Sequence, residues 1–172
     1  MGPKSNRRMI FLIKKLKSFF YTSIAKFSCK NCNAGLKANG YTKLTRNTEI
    51  GENVNFNGLI VYGKGRCVFG DNFHSGFGCK IITTYHNYEG EAIPYDHTTI
   101  SRDVIIEDNV WFGMNVTVLA GATIGEGAII QAGSTVVGNI PKMAIAGGHP
   151  AKAFSKRNEE KYFELKKLKR FY

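Results

Sequence analysis

The chain has 172 residues, 43% of them hydrophobic, which suits one core-forming domain with a small appendage and excludes wholesale disorder. Its formal charge is +11, yet residues 1–50 carry eleven Lys/Arg against one Glu, residues 51–151 five against nine acids, and residues 152–172 eight against three. A mildly acidic body between two basic ends excludes a uniformly basic nucleic-acid binder, and no nucleic-acid partner is expected.

From the N-terminus, Met9, Leu12, Ile13, Leu16, Phe19, Phe20, Ile24 and Phe27 recur at i, i+3, i+4 spacing, with Lys14, Lys15 and Lys17 off the stripe. This pattern predicts an amphipathic helix. The apolar run from Met9 to Ile13 ends at Lys14-Lys15, too short for a secretory signal or a bilayer span, so the expected location is cytoplasmic. The helix has two readings: it packs on the body or a neighbouring subunit, or it lies on an anionic membrane surface through residues 9–27. The four cysteines, Cys29, Cys32, Cys67 and Cys79, are too few to staple the chain and read as reduced thiols. Cys29 and Cys32 lack the second pair that would complete a zinc site.

A six-residue period follows. Ile50-Gly51-Glu52-Asn53-Val54 and Phe69-Gly70-Asp71-Asn72-Phe73 share one template, and residues 62–67 shift the register by one. Residues 87–99 break the period and read as a protruding loop. From Ile100, steps of six give Ile106, Phe112, Val118, Ile124, Ile130 and Val136, all large and apolar. A second column, Val104, Val110, Val116, Ala122, Ala128, Ser134 and Ile140, is aliphatic or small. The column before it reads Asp103, Asn109, Asn115, Gly121, Gly127, Gly133 and Asn139, residue types that suit corners with positive φ or side-chain-capped turns. Strands of about three residues joined by such corners cannot bury their own apolar faces; stacked coils can. Residues 157–172, with acids early and Lys/Arg late, predict a closing helix. The expected division is a basic helix and lead-in over 1–47, a repeat domain over 48–156 and a C-terminal helix over 157–172.

The ordered set Asp108-Asn109-Val110-Trp111-Phe112-Gly113, Gly121-Ala122-Thr123-Ile124-Gly125, Ala132-Gly133-Ser134, Ile140-Pro141 and Gly147-Gly148-His149-Pro150-Ala151-Lys152 resembles the hexapeptide-repeat acyltransferases. The likeness is strongest to bacterial sugar O-acetyltransferases. It implies a mainly β fold, a left-handed parallel β-helix; the hand comes from the resemblance alone. It also implies a homotrimer with active sites between neighbouring subunits, and direct acyl transfer from acetyl-CoA to a sugar or glycan acceptor.

Such transfer needs a base, oxyanion donors and a slot aligning two substrates. The resemblance implies a histidine base at the mouth of the long loop, and His86 fits. Asn87, Asp96 and His97 are the loop candidates for acceptor contacts, and Asp96 or Glu89 for orienting His86. On the donor side the resemblance implies that Gly113, Ala132 and Gly133 let the pantetheine arm approach, that Trp111 walls the thioester end or packs in the core, and that Lys152, helped by Lys156 or Arg157, meets the coenzyme's phosphates. Val137-Gly138 stands where the family has a polar pair. His74 reads as structural or partly exposed, and His149 holds a variable place in the closing motif, next to the path the resemblance implies for coenzyme A. The even spacing of His74, His86 and His97 does not match the zinc ligands of γ-carbonic anhydrases on this fold, so no metal is expected. No acyl-enzyme on Ser134 or Cys79 is required. The competing class is a non-catalytic trimeric scaffold that binds membrane or a partner through its basic ends.

Overall fold

The computed structural model describes residues 3–29, 31–32 and 35–172. The six-residue period is realised as a three-sided parallel coil. After helix α1 (Pro3–Ser28), β1 (Asn31–Cys32) and β2 (Lys37–Gly40) lead in. The first full turn is β3 (Thr48–Ile50), β4 (Asn55–Asn57) and β5 (Leu59–Tyr62); the second is β6 (Cys67–Phe69), β7 (His74–Ser75) and β8 (Cys79–Ile82). A hairpin, β9 (Thr84–His86) and β10 (Thr99–Ser101), interrupts the coil. The third turn is β11 (Val104–Ile106), β12 (Trp111–Phe112) and β13 (Thr117–Val118), and the fourth is β14 (Thr123–Ile124), β15 (Ile129–Ile130) and β16 (Thr135–Val136). Strands β17 (Ala144–Gly148) and β18 (Ala151–Lys156) and helix α2 (Glu159–Lys167) close the chain.

Like strands stack on like. The first face is β1-β3-β6-β11-β14, the second β18-β17-β15-β12-β7-β4-β2, and the third β16-β13-β8-β5. All pairings within the coil are parallel except β17 with β18, so the core column runs Ile106 onto Ile124, Phe112 onto Ile130 and Val118 onto Val136. Each of these six side chains is fully buried, a gain of about 1.5–3 kcal/mol apiece. Ile100, expected at the head of the column, falls in the hairpin instead and is only half-buried.

The corner column behaves as its composition requires. Asn109, Asn115, Gly121, Gly127 and Gly133 all have positive φ, between 54° and 89°. Asp103 and Asn139 act through their side chains: Asp103 accepts from Arg66 N and Asn139 from Thr123 N. At one edge, Asn53 Nδ2 donates to Asn72 Oδ1 (2.9 Å) and Asn72 Nδ2 to Asn109 Oδ1 (3.0 Å). This ladder ends on helix α2, where Asn109 Nδ2 donates to Tyr162 Oη (2.9 Å).

Helix α2 is shorter than the 157–172 expected: Asn158 caps its start by accepting from Lys161 N, and Leu168, whose N–H donates to Glu164 O, caps its end. Tyr162 Oη donates to Glu126 Oε1 (2.8 Å), and Lys166 pairs with the same carboxylate. The Lys166 ammonium and the Tyr162 hydroxyl hold the Glu126 carboxyl below its ordinary range, while burial and the Glu126 charge push the Tyr162 phenol up.

The later turns of α1 dock on the coil. Ala25 is buried, Thr22 Oγ1 accepts from Ala38 N (2.9 Å) and Ser28 Oγ from Leu44 N (3.1 Å). Met9, Ile10, Phe11, Leu12, Ile13, Leu16, Phe19 and Phe20 are 45–75% exposed. Among the described residues, no helix is long and apolar enough to cross a membrane.

The reading of four reduced thiols is corrected at one pair: Cys29 and Cys32 form a disulfide, their Cα atoms 5.9 Å apart where α1 turns into β1. Cys67 and Cys79 are free and buried, and burial raises both thiol pKa values, which withholds the thiolate a nucleophile would need.

Candidate active site

His86 ends β9, pairs with Thr99 across the hairpin, and is exposed at the mouth of the loop. Its ring stacks on Tyr95, with centroids 3.9 Å apart and planes at 15°. Stacking holds the ring plane and leaves the nitrogens at its rim. Neither ring nitrogen has a protein hydrogen-bond partner among the described residues, so the geometry allows His86 to take a proton from a bound molecule. Tyr95 carried no sequence signal, since it meets His86 only because the hairpin folds back.

The loop carboxylates do not orient His86. Asp96 accepts from Thr98 N (2.8 Å), Thr98 Oγ1 (2.5 Å) and Glu91 N (3.2 Å), and the Thr98 hydroxyl leads in holding its carboxyl low. Asp96 therefore ties the loop together. Asn87 Oδ1 accepts from Glu89 N (3.2 Å), and Asn87 N donates to Thr98 O (3.1 Å), leaving the Asn87 amide nitrogen at the hairpin mouth. His97 is exposed on the same loop.

The other two histidines are engaged. His149 Nδ1 lies 2.8 Å from Thr135 Oγ1, and its Nε2 contacts Gly133 O. A carbonyl can only accept, so Nε2 is the donor to Gly133 O, and in the neutral ring Nδ1 then accepts from the threonine. His74 Nε2 lies 3.1 Å from Tyr172 O and 3.3 Å from Asn55 Nδ2.

The donor-side candidates Gly113, Ala132 and Gly133 lie together at the corner between the second and third faces. They do not share one reason for being small. A Cβ on Gly113 would meet Ala132 N at 2.5 Å, so this glycine is needed for coil stacking. A Cβ on Gly133 would meet nothing within 4 Å, and Ala132 is exposed, so a slender chain has room here. Lys152 and Lys156 are exposed on β18, without carboxylate partners among the described residues. Ser134 is buried, donating to Gln131 O (2.7 Å) and accepting from Gly148 N (3.2 Å). Among the described residues, no three His, Cys, Asp or Glu side chains are grouped to hold a metal.

Trp111 is 51% exposed on the outside of β12, which removes the core-packing reading. It faces a cavity of about 610 Å³ between the second face and the segment from Arg157 to Tyr172, a feature the sequence did not signal. The hairpin leaves the coil between the third and first faces, the edge opposite the second face in a three-sided coil. One chain therefore keeps His86 and Trp111 apart.

Residues 103–138 match the bacterial transferase hexapeptide family, six repeats. The chain is 40% identical over 91 residues, 47% of its length, to an Escherichia coli K12 protein named as a lipopolysaccharide biosynthesis O-acetyltransferase, of which the match spans 46%. The chain spans about half the length of the curated relatives it matches. Its coil superposes on a maltose O-acetyltransferase from Clostridium difficile 630 with a TM-score of 0.68 and 27% identity, over 80% of this chain and 74% of that one. A hexapeptide-repeat acetyltransferase from Vibrio cholerae, complexed with acetyl coenzyme A, superposes with a TM-score of 0.60 and 25% identity over 74% and 68%. In fold the chain is a left-handed parallel β-helix, and over residues 103–138 it carries the hexapeptide repeat of bacterial transferases, which makes it similar to the hexapeptide-repeat acyltransferases.

Proposed function

We propose that the protein moves an acetyl group from acetyl-CoA directly to a sugar hydroxyl, in the building of a surface polysaccharide, with His86 as general base. The observation that carries this reading is a histidine free at both nitrogens, held by an aromatic stack at the hairpin mouth of a hexapeptide coil. The acceptor O–H gives its proton to His86 as its oxygen attacks the thioester carbonyl. The tetrahedral oxyanion is met by backbone N–H groups. Collapse breaks the C–S bond, and the proton returns from His86 to the departing thiolate, so one ester and one thiol replace one thioester and one alcohol. Acetyl-CoA supplies the activated acyl carbon; the open corner at Ala132 and Gly133 suits its slender arm, and Lys152 and Lys156 its phosphates. Asn87 and His97 border the acceptor.

A homotrimer completes the site. Because His86 and Trp111 lie on opposite sides of one coil, a site using both draws them from two chains, as a closed head-to-tail ring permits. Purified protein with acetyl-CoA should release free thiol in the presence of a sugar acceptor. Co-expressed His86→Ala and Trp111→Ala chains, each inactive alone, should regain about a quarter of wild-type turnover through random mixing in a ring. If the mixture stays inactive while it still assembles, the shared site is wrong; if no sugar ever supports thiol release, the scaffold reading replaces the enzyme.

The exposed half of α1 favours the membrane reading of the basic end. Eight large apolar side chains beside Lys14, Lys15 and Lys17 match an interfacial helix near a lipid-linked glycan. Co-sedimentation should show binding to vesicles rich in anionic lipid, falling with added salt and weakened by about 1 kcal/mol for each of these lysines changed to Gln. Binding that is unchanged when residues 1–20 are removed would exclude this role.

A further inference from the structure

The cavity in front of Trp111 carries four cations, Arg157, Lys161, Lys166 and Arg170, and no Asp or Glu lines it among the described residues. Among the described residues, only Lys166 of these pairs with a carboxylate side chain, that of Glu126. Arg157 is half-buried: its Nε donates to Gly127 O (2.6 Å), its guanidinium lies 5.9 Å from the Tyr162 ring centroid, and burial lowers its pKa. A guanidinium taken partly out of water beside two uncompensated cations is a poor arrangement for the empty protein and a good one for receiving an anion. Four of the other lining residues carry aromatic rings: Trp111, Tyr162, Phe171 and Tyr172. Flat aromatic faces suit the C–H faces of a sugar ring, and about 610 Å³ is within the range of small-ligand sites. The amides of Asn72 and Asn109 are spent in the ladder, so selectivity here falls to the charges and the rings.

We propose that this cavity binds an anionic saccharide, one carrying a phosphate or carboxylate, with Lys161 and Arg170 reading the negative group and Trp111 stacking on the ring. The proposal rests on the acyl-transfer reading and deepens it: Trp111 belongs to the acceptor side, and the acceptor is an acidic or phosphorylated sugar.

The test is equilibrium binding to the full chain without acetyl-CoA, using glucose, glucose 6-phosphate, glucuronate and inorganic phosphate as probes. Glucose 6-phosphate and glucuronate should each bind at least about tenfold tighter than glucose. The double variant Lys161→Gln/Arg170→Gln should erase that preference, whereas Lys169→Gln, outside the lining, should keep it. Equal affinities for neutral and anionic sugars overturn the proposal, as does a preference that survives the double variant. Inorganic phosphate binding as tightly as glucose 6-phosphate overturns the saccharide half. The two readings fail separately: anionic sugars that bind here while no acceptor supports thiol release sink the enzyme and spare the pocket, and acetylation indifferent to acceptor charge does the reverse.

Discussion

Replacing His86 with Ala is expected to lower kcat/KM for acetyl transfer by about 10²–10⁴, the range of a lost general base. The fold should not notice, because the side chain is exposed, has no hydrogen-bond partner among the described residues and adds nothing to the core. Thiol release from acetyl-CoA, measured beside a urea unfolding curve, reads both quantities. Tyr95→Ala should give a smaller loss, since Tyr95 positions the ring through a 3.9 Å stack and exchanges no proton itself. A His86→Ala protein with wild-type turnover would remove His86 from the chemistry. His97, the other exposed histidine of the loop, would then be the next residue to replace.

Phe112→Ala is expected to have the largest effect on stability. Phe112 is fully buried, stands between Ser75 and Ile130 in the stack, and meets Phe73 edge-on at 5.0 Å. Phe73 in turn packs on Phe56 and Phe69. Removing the ring opens a cavity at one end of this cluster, and the parallel backbones on either side cannot collapse into it without breaking register. The expected cost is about 3–5 kcal/mol, a fall in the urea midpoint of at least about 1 M at fixed protein concentration. Its neighbour makes the control. Trp111→Ala removes a larger side chain from the outside of the same strand and should change stability by no more than about 0.5 kcal/mol. Should Trp111→Ala unfold the protein as readily as Phe112→Ala, Trp111 would be a packing residue and the cavity reading would lose its wall.

The coil was legible because its rules are local and repeated. Each inward residue is announced by a period of six, and each corner by a residue that tolerates positive φ: Asn109, Asn115 and Gly121 need no distant partner to adopt it. The core columns, the protruding loop and both helices follow from such short-range constraints. His86 was legible as a candidate from its place at the end of a repeat and the start of the loop, and the structure finds it exposed, with no hydrogen-bond partner among the described residues. Gly113 has a reason to be small that the sequence did not show, since its missing side chain makes way for Ala132 of the next coil.

By itself, then, the sequence determined the period, the corners, the apolar column and the two basic ends, because each depends on residues within one turn of the coil. Only the tertiary structure decided which face each outward residue occupies and what meets it there. The Asn109–Tyr162 bond spans 53 positions and the His74–Tyr172 contact spans 98, with nothing in the period to record either. The same holds for the Tyr95 stack on His86, the Cys29–Cys32 bond and the cationic cavity beside Trp111. Side chains on the outside of a solenoid are not constrained by its repeat. Their neighbours are set by where an inserted hairpin, a closing helix and a lead-in turn come to rest on it, and the separation of His86 from Trp111 is of that kind.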